Sequence, residues 1–171
     1  MFRLNRLVVS ALVAGATLIV PSLGASATTT TPSCVPAQMS VSLGHVSGAA
    51  GTIYYPLVFT NHGAECAIWG VASLQPVGDA RRPVGPRARN ASMGEMPARH
   101  VVAHGRAVSV GFGVSETGNY SRAACAPRVA RGVVVSLAPF VKPTFVPLVI
   151  SVCTRLASTS TRLLAPGTTG A

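Results

Sequence analysis

Four cysteines, at positions 34, 66, 125 and 153, constrain this chain more than any other feature. No two stand at the short spacing of a zinc knuckle, so they are candidates for two disulfides, for which three pairings exist. Strand geometry ranks the pairings, because in an antiparallel hairpin the residues equidistant from the turn come together. Cys34 and Cys66 are centred on residue 50, inside the turn-forming stretch Ser47-Gly48-Ala49-Ala50-Gly51. Cys125 and Cys153 are centred on Pro139, at the break between two apolar runs. The expected bonds are therefore Cys34 with Cys66 and Cys125 with Cys153. By the chain-entropy model each loop would contribute about 3–4 kcal/mol, less any native strain.

Such bonds need an oxidising compartment, and the N-terminus offers a route to one. Arg3 and Arg6 precede an apolar run from Leu7 to Leu23 that ends in Ala25-Ser26-Ala27, the layout of a secretory signal peptide. The run is near the short end of what spans a bilayer, and no cysteine follows it directly to carry a lipid. The expected organisation is a signal peptide over 1–27, a flexible Thr/Pro/Ser leader over 28–33, a β-sandwich domain over 34–155 and a flexible Ser/Thr/Gly tail over 156–171. A second apolar run, Gly132 to Cys153, holds Lys142 and three prolines, Pro139, Pro143 and Pro147, and reads as a hairpin rather than a span. The expected location is secreted, extracellular or cell-wall associated, with no stable membrane span after cleavage.

Period-two patterning dominates the rest. Met39, Val41 and Leu43 alternate with serines and glycine; Ile53, Tyr55, Leu57 and Phe59 form one face of a second segment that Asn61-His62-Gly63 ends. Short strands are expected over Ala67–Trp69 and Ala72–Val77. Val101–Ala103 and Arg106–Val114 flank a His104-Gly105 turn, and Gly132–Leu137 and Phe145–Val152 complete about eight strands. No ten-residue segment has helical periodicity, so the expectation is an all-β sandwich.

The stretch from Ala49 to Asn61, with its Phe59-Thr60-Asn61 ending, followed by Gly63, Cys66, Ile68 and Gly70, resembles the secreted actinobacterial family called domain of unknown function 4232. The resemblance runs from about Cys34 to Cys153. It departs at Val71-Ala72, where the family has an aromatic-Pro pair, and at His104, where the family has proline before the glycine. It implies an immunoglobulin-like antiparallel β-sandwich in a cell-envelope or extracellular setting, and it brings no catalytic residue.

Charge gives the clearest functional lead. The chain has 14 Lys+Arg against 4 Asp+Glu, and all the basic residues but Lys142 are arginine. Between Gly78 and Arg99 runs a polar connection with Arg81, Arg82, Arg87, Arg89 and Arg99, and Arg106 follows nearby. Guanidinium forks match phosphate and carboxylate groups, so these six form a candidate anion site. The connection holds no aromatic residue on which a base could stack, so nucleic acid is disfavoured in favour of an anionic cell-wall polymer or an envelope protein. An arginine-rich solvated loop in a compositionally biased chain is the plain alternative. A second candidate is Pro127-Arg128-Val129 after Cys125, where a proline-stiffened loop tied by a disulfide would present Arg128 to a trypsin-like pocket as a substrate-like protease inhibitor; a turn leading into the next strand is its plain alternative.

Other chemistry finds little support. Glu65, Asp79, Glu95 and Glu116 offer no paired carboxylates, and no Gly-x-Ser-x-Gly elbow is present. His45, His62, His100 and His104 have the right donors for copper or zinc but no carboxylate close in sequence. Trp69 and Tyr54 could stack on sugars, with Trp69 better suited to the core. The expected function is a secreted, non-catalytic binding module without a cofactor, and the alternative is the inhibitor.

Overall fold

The computed structural model describes residues 30–170, so the expected signal peptide lies outside the described residues. The strands are β1 (Met39–Leu43), β2 (Ser47–Ala49), β3 (Thr52–Asn61), β4 (Cys66–Ile68), β5 (Ser73–Val77), β6 (Arg89–Asn90), β7 (His100–Val102), β8 (Ala107–Ser115), β9 (Pro127–Leu137), β10 (Val141–Cys153), β11 (Thr159–Thr161) and β12 (Ala165–Pro166). A single helical turn, α1 (Arg122–Cys125), precedes β9. Strands β1-β3-β8-β11-β6 make the larger sheet, with β2 continuing along β3 and β12 along β8. A second sheet runs β10-β9-β5, and β4 pairs with β7 as a separate ribbon.

The alternation read from sequence decides what is buried. Leu57 and Phe59 of β3, with Val108, Val110, Phe112 and Val114 of β8, share one core with Val133, Val135 and Leu137 of β9 and Val146, Ile150 and Val152 of β10. The protein is thus all-β, with its two larger sheets joined through a common apolar layer, an arrangement compatible with the immunoglobulin-like sandwich that the resemblance implies. At the margin of the core the half-buried Tyr55 packs obliquely on Phe112, with ring centroids 6.4 Å apart. Burial raises the Tyr55 phenol above its ordinary value of 10.0.

Both disulfides pair as the midpoints require, Cys34 with Cys66 and Cys125 with Cys153. Strand β1 meets β3 from Met39 opposite Asn61 to Leu43 opposite Leu57, a ladder centred on residue 50. The cysteines lie past the end of that ladder. Beyond it the chain changes sheet, and Ser33 bridges Ala67 in parallel, with Cys34 N–H donating to the Ala67 carbonyl at 2.9 Å. The second hairpin begins with Val141 opposite Leu137 and ends with Cys153 opposite Pro127, after register shifts between Val141 and Thr144 and between Pro147 and Ile150. Lys142, Pro143 and Pro147 are exposed on β10, an outermost strand, where a charge, missing N–H groups and bulges discourage pairing with another chain.

Asn61 is fully buried, and its side chain explains the Phe-Thr-Asn ending. Its Nδ2 donates to the carbonyls of Ala64 and Val102, each at 2.8 Å, while Oδ1 accepts from Gly63 N–H at 2.9 Å. One amide therefore shapes the turn after β3 and fastens it to β7.

The described residues of two segments expected to be flexible are instead built into the fold. In the leader, the Pro32 carbonyl accepts from Ala67 N–H at 2.7 Å, and the Thr31 carbonyl accepts from the Arg99 guanidinium. In the tail, Thr159, Ser160 and Thr161 pair with Val114, Gly113 and Phe112, and Ala165 pairs with Ser109. The physical reason lies in β8, whose outward residues Ser109, Gly111 and Gly113 are too small to hold the tail off. A Cβ on Gly111 would stand 2.5 Å from the Gly170 carbonyl oxygen, and Gly170 N–H donates to the buried Ser109 hydroxyl at 2.9 Å.

Candidate anion-binding groove

The arginine-rich connection is a crossover between sheets. Its first half runs beside β5, with Val84 N–H donating to the Pro76 carbonyl and Ala88 N–H to that of Leu74, both at 2.9 Å. Its second half joins the larger sheet, where Arg89 and Asn90 of β6 pair in parallel with Ser160 and Thr161. Gly85 adopts a φ of +71°, and a Cβ there would collide with the backbone of Cys153, so the connection lies tight against the end of β10.

This path scatters the six arginines. Arg81 lies over the Phe145 ring at 5.2 Å, and Arg87 donates to the Ser73 hydroxyl at 2.7 Å. Arg99 covers Trp69 at 4.6 Å from the ring centroid. Arg106 sits in the turn before β8, where its carbonyl accepts from Asn61 N–H. Arg82 is exposed and has no side-chain hydrogen bond among the described residues.

The Pro127–Val129 segment also differs from expectation. It is the first part of β9, with Pro127 opposite Cys153 and Arg128 opposite Val152, and not a projecting loop. The Cys125–Cys153 bond and a left-handed Ala126 turn the chain straight from α1 into the strand. Strand β5 reaches only as far as Gly132, so Pro127 to Arg131 have β10 on one side and nothing from β5 on the other. Arg128 and Val129 are exposed there.

The result is a convergence between the two candidates. Arg82 from the connection and Arg128 from β9 line one open groove of about 570 Å³, with Gly78, Asp79, Gly85, Val129 and Thr154. Arg128 also faces an adjoining hollow that Arg122 lines. Asp79 is the carboxylate of the groove, and its contact is with Arg131, at 3.9 Å, between two well-exposed side chains. An ion pair so exposed contributes little to stability, and it leaves Arg82, Arg122 and Arg128 unneutralised.

The remaining candidates do not assemble. His100 Nε2 donates to the Leu164 carbonyl at 2.9 Å and His104 Nδ1 to that of Gly63 at 3.1 Å, while His62 bonds the Ser40 hydroxyl at 2.7 Å. Among the described residues no group of three or more His, Cys, Asp or Glu is placed to hold a metal ion. Asp79, Glu95 and Glu116 line three different clefts. Trp69 packs edge-on against Phe140 at 4.5 Å, with Arg99 over its ring. Sequence reasoning missed Arg122 and Arg162; the second lay in the segment taken for a tail.

A family pattern described as "Domain of unknown function (DUF4232)" matches residues 34–166. The chain belongs to this family. Its boundary at 166 takes in β11 and β12, in agreement with the ordered C-terminal segment and beyond the domain limit of 155 expected from sequence. No curated protein and no solved structure matches the chain. The two disulfides are those of an oxidising, extracytoplasmic compartment, and among the described residues no helix is long and apolar enough to cross a membrane.

Proposed function

We propose that the protein is a secreted, non-catalytic binding module of the cell envelope that holds anionic wall polymers in the groove between Arg82 and Arg128. The observation that carries this reading is the convergence of those two arginines, 46 positions apart in sequence, with Arg122 at the neighbouring hollow. A polymer of phosphate or carboxylate groups would take a guanidinium at each repeat, and the open shape of the groove suits a chain that passes through rather than a molecule that is enclosed. The sequence expectation of a six-arginine loop is thereby narrowed. Arg81, Arg87 and Arg99 have intramolecular partners, whereas Arg82, Arg122 and Arg128 are free to meet a ligand.

Binding of the purified exported protein to isolated cell wall tests this. Retention should fall as salt is raised and should fall further in the Arg82→Ala/Arg122→Ala/Arg128→Ala variant, while Arg87→Ala has a smaller effect. Retention that is insensitive to both salt and the triple substitution would exclude the groove.

A further inference from the structure

A second cleft lies on the outer surface of the larger sheet, where the C-terminal segment crosses β8. Its volume is about 440 Å³, and its lining includes Tyr54, Arg162, His45, Ser47, Thr168 and Thr169. Tyr54 belongs to the outward face of β3, opposite to core-facing Tyr55 and Leu57. The Arg162 guanidinium stands 5.3 Å from the Tyr54 ring centroid. Two other arginines cover aromatic rings, but only this pair lines the cleft.

Three features suit the cleft to a ligand. First, its wall is anchored: Gly170 N–H donates to the Ser109 hydroxyl at 2.9 Å, and Gly170 and Gly111 lie so close that neither has room for a Cβ, which places Thr168 and Thr169 over the sheet. Second, the side chains of Arg162, His45, Ser47, Thr168 and Thr169 have no hydrogen-bond partner among the described residues, so their donors and acceptors are open to a bound molecule. Third, the chemistry is mixed in a specific way: one aromatic ring, one guanidinium without a carboxylate partner, three hydroxyls and an imidazole. Hydroxyls and imidazole match sugar hydroxyls, and a guanidinium stacked on a ring is pre-organised for an oxyanion.

We infer that this cleft binds a saccharide bearing an acidic group, with Arg162, held in place by the Tyr54 ring beneath it, on the acid and the hydroxyls and imidazole of the lining on the sugar hydroxyls. The site is independent of the Arg82–Arg128 groove, which is built on the other sheet.

Calorimetric titration of the exported protein with trigalacturonate, neutral maltotriose and inorganic phosphate tests the inference. Trigalacturonate should bind, and Arg162→Gln should weaken it about tenfold, the scale of one lost charge-assisted contact. Tyr54→Ala should also weaken it and Tyr54→Phe should retain it, with every titration made in the Arg82→Ala/Arg128→Ala background so that the groove on the other sheet contributes nothing. Arg162 is exposed, so Arg162→Gln should keep the thermal midpoint of the parent and remain informative if Tyr54→Ala fails to fold. Three results would each overturn the inference: no trigalacturonate binding at millimolar concentration, binding undiminished in Arg162→Gln, or maltotriose or phosphate binding as tightly as trigalacturonate.

Discussion

Replacing Asn61 should destabilise the fold more than its polarity suggests. The residue is fully buried, and Asn61→Ala removes three hydrogen bonds of 2.8, 2.8 and 2.9 Å. The bond to the Val102 carbonyl is buried, and its loss costs about 1–3 kcal/mol. The bonds to Ala64 and Gly63 are half-buried, and water can replace part of each, which adds about 1 kcal/mol together. A total of about 2–4 kcal/mol corresponds to a fall of about 6–15 °C in the thermal midpoint of a domain this size. Asn61→Asp should be worse near neutral pH, because it keeps the acceptor for Gly63 but turns a negative oxygen towards two carbonyls. Thermal unfolding followed by circular dichroism checks both variants. A shift under about 2 °C for Asn61→Ala, or a milder effect for aspartate than for alanine, would mean that the three bonds of this side chain do not hold the turn to β7.

Two further outcomes follow from the sheets. Gly111→Ala places a Cβ 2.5 Å from the Gly170 carbonyl oxygen, so it should release the end of the chain and speed limited proteolysis after Thr161, while β3 and β8 stay protected from hydrogen exchange. Burial raises the Tyr55 phenol above 10.0, so the folded state holds that proton more tightly than the unfolded chain. The associated stability is complete below about pH 10 and is lost as pH rises through the folded value, so the thermal midpoint should drop on the alkaline side and Tyr55→Phe should lessen the drop.

Much of the fold was legible because a buried strand imposes a period of two on its sequence. Ile53, Tyr55, Leu57 and Phe59, and likewise Val108, Val110, Phe112 and Val114, announce which face turns inward, and the cysteine midpoints match the register of the first hairpin and of the start of the second. The C-terminal strands were not legible in their own residues, since Ser, Thr, Gly and Pro over 156–171 compose a tail as readily as a strand. Their signal lay in the partner: Ser109, Gly111 and Gly113, all small and all on the outward side of β8, mark a face that something covers. The early start of β9 at Pro127 was hidden by its proline and by the Arg128 and Arg131 charges, which sit comfortably where β5 no longer flanks the strand. The groove was the least legible part. Each arginine was visible, but their meeting depends on the crossover passing against Cys153, a tertiary contact set by Gly85. Asn61 read as a strand terminator, and only its buried partners reveal that it ties two sheets together.

The proposed function requires an anionic polymer to lie between Arg82 and Arg128. Titrating polyphosphate into the isotope-labelled protein while following its backbone amide resonances tests this contact. The prediction is perturbation centred on Gly78, Arg82, Gly85, Arg128, Val129 and Thr154, lost in high salt and in Arg82→Ala/Arg128→Ala. Perturbations that spread over all exposed arginines alike, or that spare those six amides, would contradict it.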